Sequence, residues 1–196
     1  LLCWQGIQVV CVAHEYVPRD ILSKAWITPW LRRLVAATFE WFEHWAARRF
    51  AAVVAATPHI AARFSNLTLV IDIKNYPIMA EMTVPVEGSG RQQAVCYVGG
   101  ISRIRGAVEM IQALEGIDAR LILAGKIESA VLEAELRAMS GWRKVDYRGV
   151  VGREEVARVL GEAKVGLVLL HPMVNYLDSL PVKIFEYMST RLPVVA

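Results

Sequence analysis

Near the end of the chain, the stretch DSLPVKIFEYM (residues 178–188) sets two carboxylates, Asp178 and Glu186, among apolar residues with one base, Lys183, between them. A carboxylate can accept hydrogen bonds from both hydroxyls of a ribose diol, and a lysine ammonium can meet phosphate. Pro181 suits the first turn of a helix, which leaves Asp178 in the preceding loop and Glu186 in the second turn. Lys183, Glu186 and Thr190 then form one polar stripe at i, i+3 and i+7. Periodicity allows two readings of that stripe: a solvated surface with a Lys183–Glu186 ion pair, or the wall of a cleft. A second stretch, GGISRIRG (residues 99–106), pairs Gly99 and Gly100 with Arg103 and Arg105. Glycines let backbone approach a ligand closely, and arginines near a helix start suit phosphate. The stretch is not GxGxxG, and a tight turn with solvated arginines is its plainer reading. A third pair, His14 and Glu15, follows a β-branched run, where a His is either structural or one of the groups a sheet presents to substrate.

These residues need elements to hold them. Apolar, β-branched runs predict strands over residues 6–12, 50–56, 67–73, 94–98, 119–125, 145–150 and 164–170, with another starting at 193. Helical patterns cover residues 26–50, 57–64, 105–114, 129–139 and 153–163, and a last helix starts at 181. Thr28 and Thr57 stand as N-caps before Pro29 and Pro58. Strands alternating with helices predict an α/β fold with parallel sheets. In such sheets ligands bind beyond the C-terminal strand ends, where all three stretches fall. TVPVEGSGRQQ (residues 83–93) is the best linker, dividing the chain into domains at 1–82 and 94–196.

Composition narrows the function. The 196 residues are 55% hydrophobic with a mean hydropathy of +0.37, a bias that strands buried on both faces produce. No apolar run approaches the roughly 20 residues that span a bilayer. The net charge of +3 is spread evenly without a basic tail, which argues against nucleic acid as a partner. Cys3, Cys11 and Cys96 lack metal or redox spacing, so a cytoplasmic location is expected. Residues 26–50 mix Trp26, Trp30, Trp41 and Trp45 with Arg32, Arg33, Arg48 and Arg49, with Glu40 and Glu43 interrupting the basic face. Ordinary packing and peripheral contact with a membrane both fit that helix. The chain opens on LLCWQG and closes on LPVVA, so a segment of a longer protein is expected.

Together these pieces resemble glycosyltransferase family 4, retaining sugar-nucleotide transferases of the GT-B type. The family signature is an acid, seven residues and a Glu, then a helix and GLPVVA. Asp178, Glu186 and STRLPVVA (residues 189–196) fit it. YVGGISRIRG is similar to the family's strand and glycine loop, RLILAGK and VDYRGVVGREEVARVLGEAKVGLVLL to the segments between, and VAHE and AAVVAATPHIAARF to its N-terminal domain. The resemblance implies two Rossmann-like domains, both incomplete here, and transfer of a sugar from a UDP- or GDP-sugar to a carbohydrate or lipid-linked acceptor, as in envelope polysaccharide synthesis. It implies no cofactor and no metal. By resemblance Glu186 binds the ribose, Asp178 the donor sugar, and Arg105 with Lys183 the diphosphate, while His14 lies near the donor sugar. Three departures stand out: Asp178 replaces a Glu, Gly100 stands where an Arg is common, and Arg191 replaces a helix-ending Gly. A sugar-nucleotide epimerase and a non-catalytic nucleotide-sugar-binding module are the alternatives on the same scaffold.

Overall fold

The computed structural model describes residues 2–24, 26–79, 90–173, 176 and 180–196. The chain forms two compact units, Leu1–Asn75 with Pro172–Leu180 and Tyr76–His171 with Pro181–Ala196. Most of the expected linker lies outside the described residues.

The first unit is a parallel sheet of β1 (Val10–Ala13), β2 (Ala52–Ala55) and β3 (Val70–Asp72), in that order. Between them run α1 (Val17–Ser23), α2 (Pro29–Ala47) and α3 (Pro58–Phe64). Thr57 caps α3 as expected: its hydroxyl accepts from the Ile60 N–H at 3.2 Å, and Pro58 fills the first turn. Thr28 makes no such side-chain bond at the start of α2. Val53, Ala55, Ile60 and Phe64 close the core against Cys11, Ala13 and Val70. The strand expected over 6–12 forms later, at Val10–Ala13, and is not fully buried: Val10 and Val12 on its other face are exposed. α1 was not expected, because its seven residues are too few to establish a helical period.

The second unit is a doubly wound sheet with all strands parallel: β4 (Ala94–Val98), β5 (Arg120–Ala124), β6 (Val145–Gly149), β7 (Val165–Leu167) and β8 (Val194–Val195), ordered β6-β5-β4-β7-β8. On one face α4 (Ala107–Ala113) and α5 (Ala130–Ala138) bury Ile111 and Leu136 against Tyr97, Leu121 and Leu123. On the other, α6 (Arg153–Glu162) and α7 (Val182–Ser189) bury Val159, Leu160 and Tyr187 against Cys96, Val98 and Ile122. Burial on both faces explains the apolar composition. The helix expected from 105 begins two residues later, because Arg103–Arg105 form a 3₁₀ turn and Gly106 is left-handed at φ 69°. α7 closes in a Schellman turn: the N–H groups of Arg191 and Leu192 donate to the carbonyls of Met188 and Tyr187 at 3.0 and 2.9 Å. Arg191 occupies the left-handed position, φ 54°, that glycine usually fills.

Candidate functional site

β4 has β5 on one side and β7 on the other, so the strand order reverses there. A crevice beyond the carboxyl ends of the strands at such a switch point is where open α/β sheets bind ligands. β4 and β7 pair only through Val95–Val165 and Cys96–Gly166. Past that point the hydroxyl of Tyr187, from α7, bridges the two strands. It accepts from the Val98 N–H at 3.3 Å and donates to the Leu167 carbonyl at 3.3 Å. Tyr187 has no solvent exposure, and burial pushes its hydroxyl above the ordinary phenol range, so it remains a neutral donor. This buried side chain ties α7 to the switch point, and Lys183 lies one turn earlier on the same helix face.

Lys183 reaches over the end of β4. Its Nζ sits 3.7 Å from the centroid of the Tyr97 ring, a cation–π contact, while the Tyr97 hydroxyl donates to the Gly100 carbonyl at 2.8 Å. A Cβ on Gly99, whose φ is 125°, would lie 3.2 Å from Lys183 Cε. A Cβ on Gly100 would lie 2.5 Å from Arg105 Nη1, and that nitrogen reaches the Gly100 carbonyl at 3.4 Å. The two glycines thus make room for two cations from elsewhere in the unit, one lying on each. Among the described residues, neither Lys183 nor Arg105 is ion-paired with a carboxylate. Burial, and next the Arg105 charge, push the Lys183 ammonium down to about 7, with Glu186 opposing. Two crowded basic side chains beside the backbone of a half-buried glycine turn favour an anion.

Glu186 is largely buried, and its Oε1 accepts from Arg153 Nη1, the first residue of α6, at 2.8 Å. A carboxylate held this way keeps lone pairs for further donors. Arg153 was missed in the sequence, because a pairing across 33 residues leaves no local signal. The solvated-stripe reading is not what forms: Lys183 and Glu186 are not ion-paired with each other, and the Thr190 hydroxyl turns back to the Tyr187 carbonyl at 2.9 Å. Gly99, Gly100, Arg105, Lys183 and Glu186 therefore come together. Arg103 does not join them; it is ion-paired with Glu135 of α5. His14 is exposed just past β1 in the first unit, and Asp178 lies outside the described residues. Among the described residues no group of His, Cys, Asp and Glu side chains could hold a metal ion.

The fold, α/β with two parallel sheets, is of the GT-B type. A family model described as "Glycosyl transferases group 1" matches residues 92–196, just over half the chain, and the chain belongs to that family. Among solved structures it is similar to sucrose-phosphate synthase from Thermosynechococcus elongatus, at 16% identity and a TM-score of 0.63, over 97% of this chain and 51% of that one. TarM gives 12% identity and a TM-score of 0.64, over 97% and 36%. AviGT4, a glycosyltransferase involved in avilamycin A biosynthesis, gives 18% and 0.57, over 74% and 46%. The chain thus spans about half or less of the length of these structures. No curated protein matches it.

Proposed function

We propose that this chain carries the donor-binding half of a glycosyltransferase that moves a sugar from a nucleotide-diphosphate sugar to a carbohydrate or lipid-linked acceptor, as in cell-envelope polysaccharide synthesis. The observation that carries the reading is the pair of cations, Lys183 and Arg105, laid over Gly99 and Gly100 at the switch point and ion-paired with no carboxylate among the described residues. A donor diphosphate supplies the missing negative charge, and its phosphate oxygens accept from the two side chains and from the backbone of the glycine turn. Glu186, steadied by Arg153, takes the ribose diol. By resemblance to the family, Asp178 is read as holding the sugar to be transferred and His14 as acting on that same sugar. The reaction is read as retaining and metal-independent, with Lys183 and Arg105 meeting the charge that develops on the leaving diphosphate.

The test uses the full-length protein and a panel of UDP- and GDP-sugars, scored by nucleotide release and product analysis. Transfer to an acceptor is expected; release of an altered sugar without an acceptor would mark an epimerase, and binding without turnover a binding module. Glu186→Gln should lose charge-assisted hydrogen bonds worth about 1.5–3 kcal/mol, weakening free nucleotide about 10- to 100-fold. Asp178→Asn should leave free-nucleotide affinity nearly intact and lower turnover. Unchanged nucleotide binding in Glu186→Gln would leave Glu186 as a structural partner of Arg153 alone.

A further inference from the structure

The outward face of α2 is not what a solvated helix surface requires. Trp30, Leu34, Trp41 and Phe42 expose 69%, 56%, 67% and 52% of their surface. Trp30, Leu34 and Trp41 recur at the spacing that places them on one stripe. Arg33, Arg48 and Arg49 are exposed on the same helix or at its end, and Arg49 stacks on the Trp45 ring at 3.9 Å. The two acids of α2 are engaged by other elements of the unit, Glu43 largely buried and Glu40 partly exposed. Glu40 accepts from the Tyr16 hydroxyl at 3.1 Å, and Glu43 is ion-paired with Arg63 of α3 at 2.5 Å. Arg63 has 8% of its side chain exposed, so this ion pair faces the inside of the unit. What reads in sequence as a basic face interrupted by acids becomes, in the fold, an outer surface of tryptophan, leucine and arginine. No described helix is long and apolar enough to cross a membrane.

We infer that the outer face of α2 docks the protein onto an anionic lipid bilayer, with Trp30, Leu34 and Trp41 in the headgroup region and Arg33, Arg48 and Arg49 on the lipid phosphates. Amphipathic tryptophan rings and basic side chains on one helix face are what an interface of that charge selects. A protein partner would need only the apolar part; Arg33, Arg48 and Arg49, ion-paired with no acid among the described residues, favour the anionic surface. This inference does not depend on the donor site.

The test sediments the full-length protein with vesicles of equal parts phosphatidylglycerol and phosphatidylethanolamine, and separately with phosphatidylcholine vesicles, while tryptophan emission is recorded. Binding to the anionic vesicles with a blue-shifted emission is expected, weakening as salt is raised. Replacing Arg33, Arg48 and Arg49 together by Gln should cut partitioning roughly 100-fold. Trp30→Ser with Trp41→Ser should cut it about tenfold or more and abolish the blue shift. All five residues are exposed, so circular dichroism and melting should stay at wild type. Should the double Trp variant misfold, the Arg variant alone decides. Equal binding to both vesicle types, or none to the anionic ones, would overturn the inference. So would self-association without vesicle binding that the Trp variant removes, which assigns the face to a second copy.

Discussion

Donor binding should be linked to proton uptake through Lys183. In the ligand-free protein its ammonium is pushed down from 10.5 to about 7, first by burial and then by Arg105, with Glu186 raising it in part. A bound diphosphate supplies the negative charge that restores the ammonium. If the donor binds only the protonated form, its affinity is constant well below pH 7 and falls about tenfold for each pH unit above about 7. The protonated form should bind up to about three orders of magnitude more tightly than the neutral one. Binding at pH 7 should take up about half a proton per donor, and nearly one by about pH 8.5. Titration calorimetry with an intact nucleotide-sugar, in Hepes and in Tris, reads that proton count from the difference in apparent enthalpy. Lys183→Met should abolish the uptake and flatten the pH profile, whereas Lys183→Arg should flatten it and keep tight binding. Affinity independent of pH between about 6 and 9 in the wild type would refute the reasoning.

The same residue predicts the pH dependence of folding. The unfolded lysine binds its proton up to about 10.5 and the folded one only up to about 7. Between those values the unfolded state holds more protons, so stability rises with pH across that window. The cost of the buried ammonium is fully present below about 7 and gone above about 10.5. Lys183→Met should therefore stabilise the ligand-free protein most at pH 7 and below.

Two further substitutions probe how the site is held. Tyr187→Phe leaves the Val98 N–H and the Leu167 carbonyl without the hydroxyl that bridges them, and should cost about 1–3 kcal/mol. Denaturant unfolding checks it, with a lower midpoint and an unchanged slope. Arg191→Gly removes a left-handed non-glycine residue worth about 1–2 kcal/mol of strain, offset in part by glycine's greater freedom when unfolded. A net gain of about 0.5–1 kcal/mol in thermal or denaturant unfolding is expected, and a loss would mean that Arg191 makes a contact worth more than its strain.

How legible the molecule was depended on how local each determinant is. β4 falls on the expected residues because burial on both faces makes Ala94–Val98 an uninterrupted apolar run. The Thr57 cap was readable because its partner is three residues away. The start of α4 moved because Gly106 takes a left-handed conformation that composition alone does not demand. Arg103 and Arg105 look alike in GGISRIRG, yet one is ion-paired with Glu135 and the other folds onto Gly100. Only the tertiary position of α5 separates them. Glu40 and Glu43 look like solvent-facing acids until Tyr16 and Arg63 are brought against them.

The departure from the family pattern at Gly100 has a counterpart in the side chains around it. With glycine at 100, where an arginine is common, that loop position lacks a cation. The gap is filled from two directions: Arg105 lies where a Cβ of residue 100 would stand, and Lys183 reaches across from α7 to Gly99. A cation carried on α7 makes the site depend on where that helix sits, and the Tyr187 hydroxyl ties the helix to Val98 and Leu167. An arginine on the loop would stay ionised at any physiological pH. A lysine carried in by a buried helix does not, and this is why donor binding is expected to take up a proton that a loop arginine would not require.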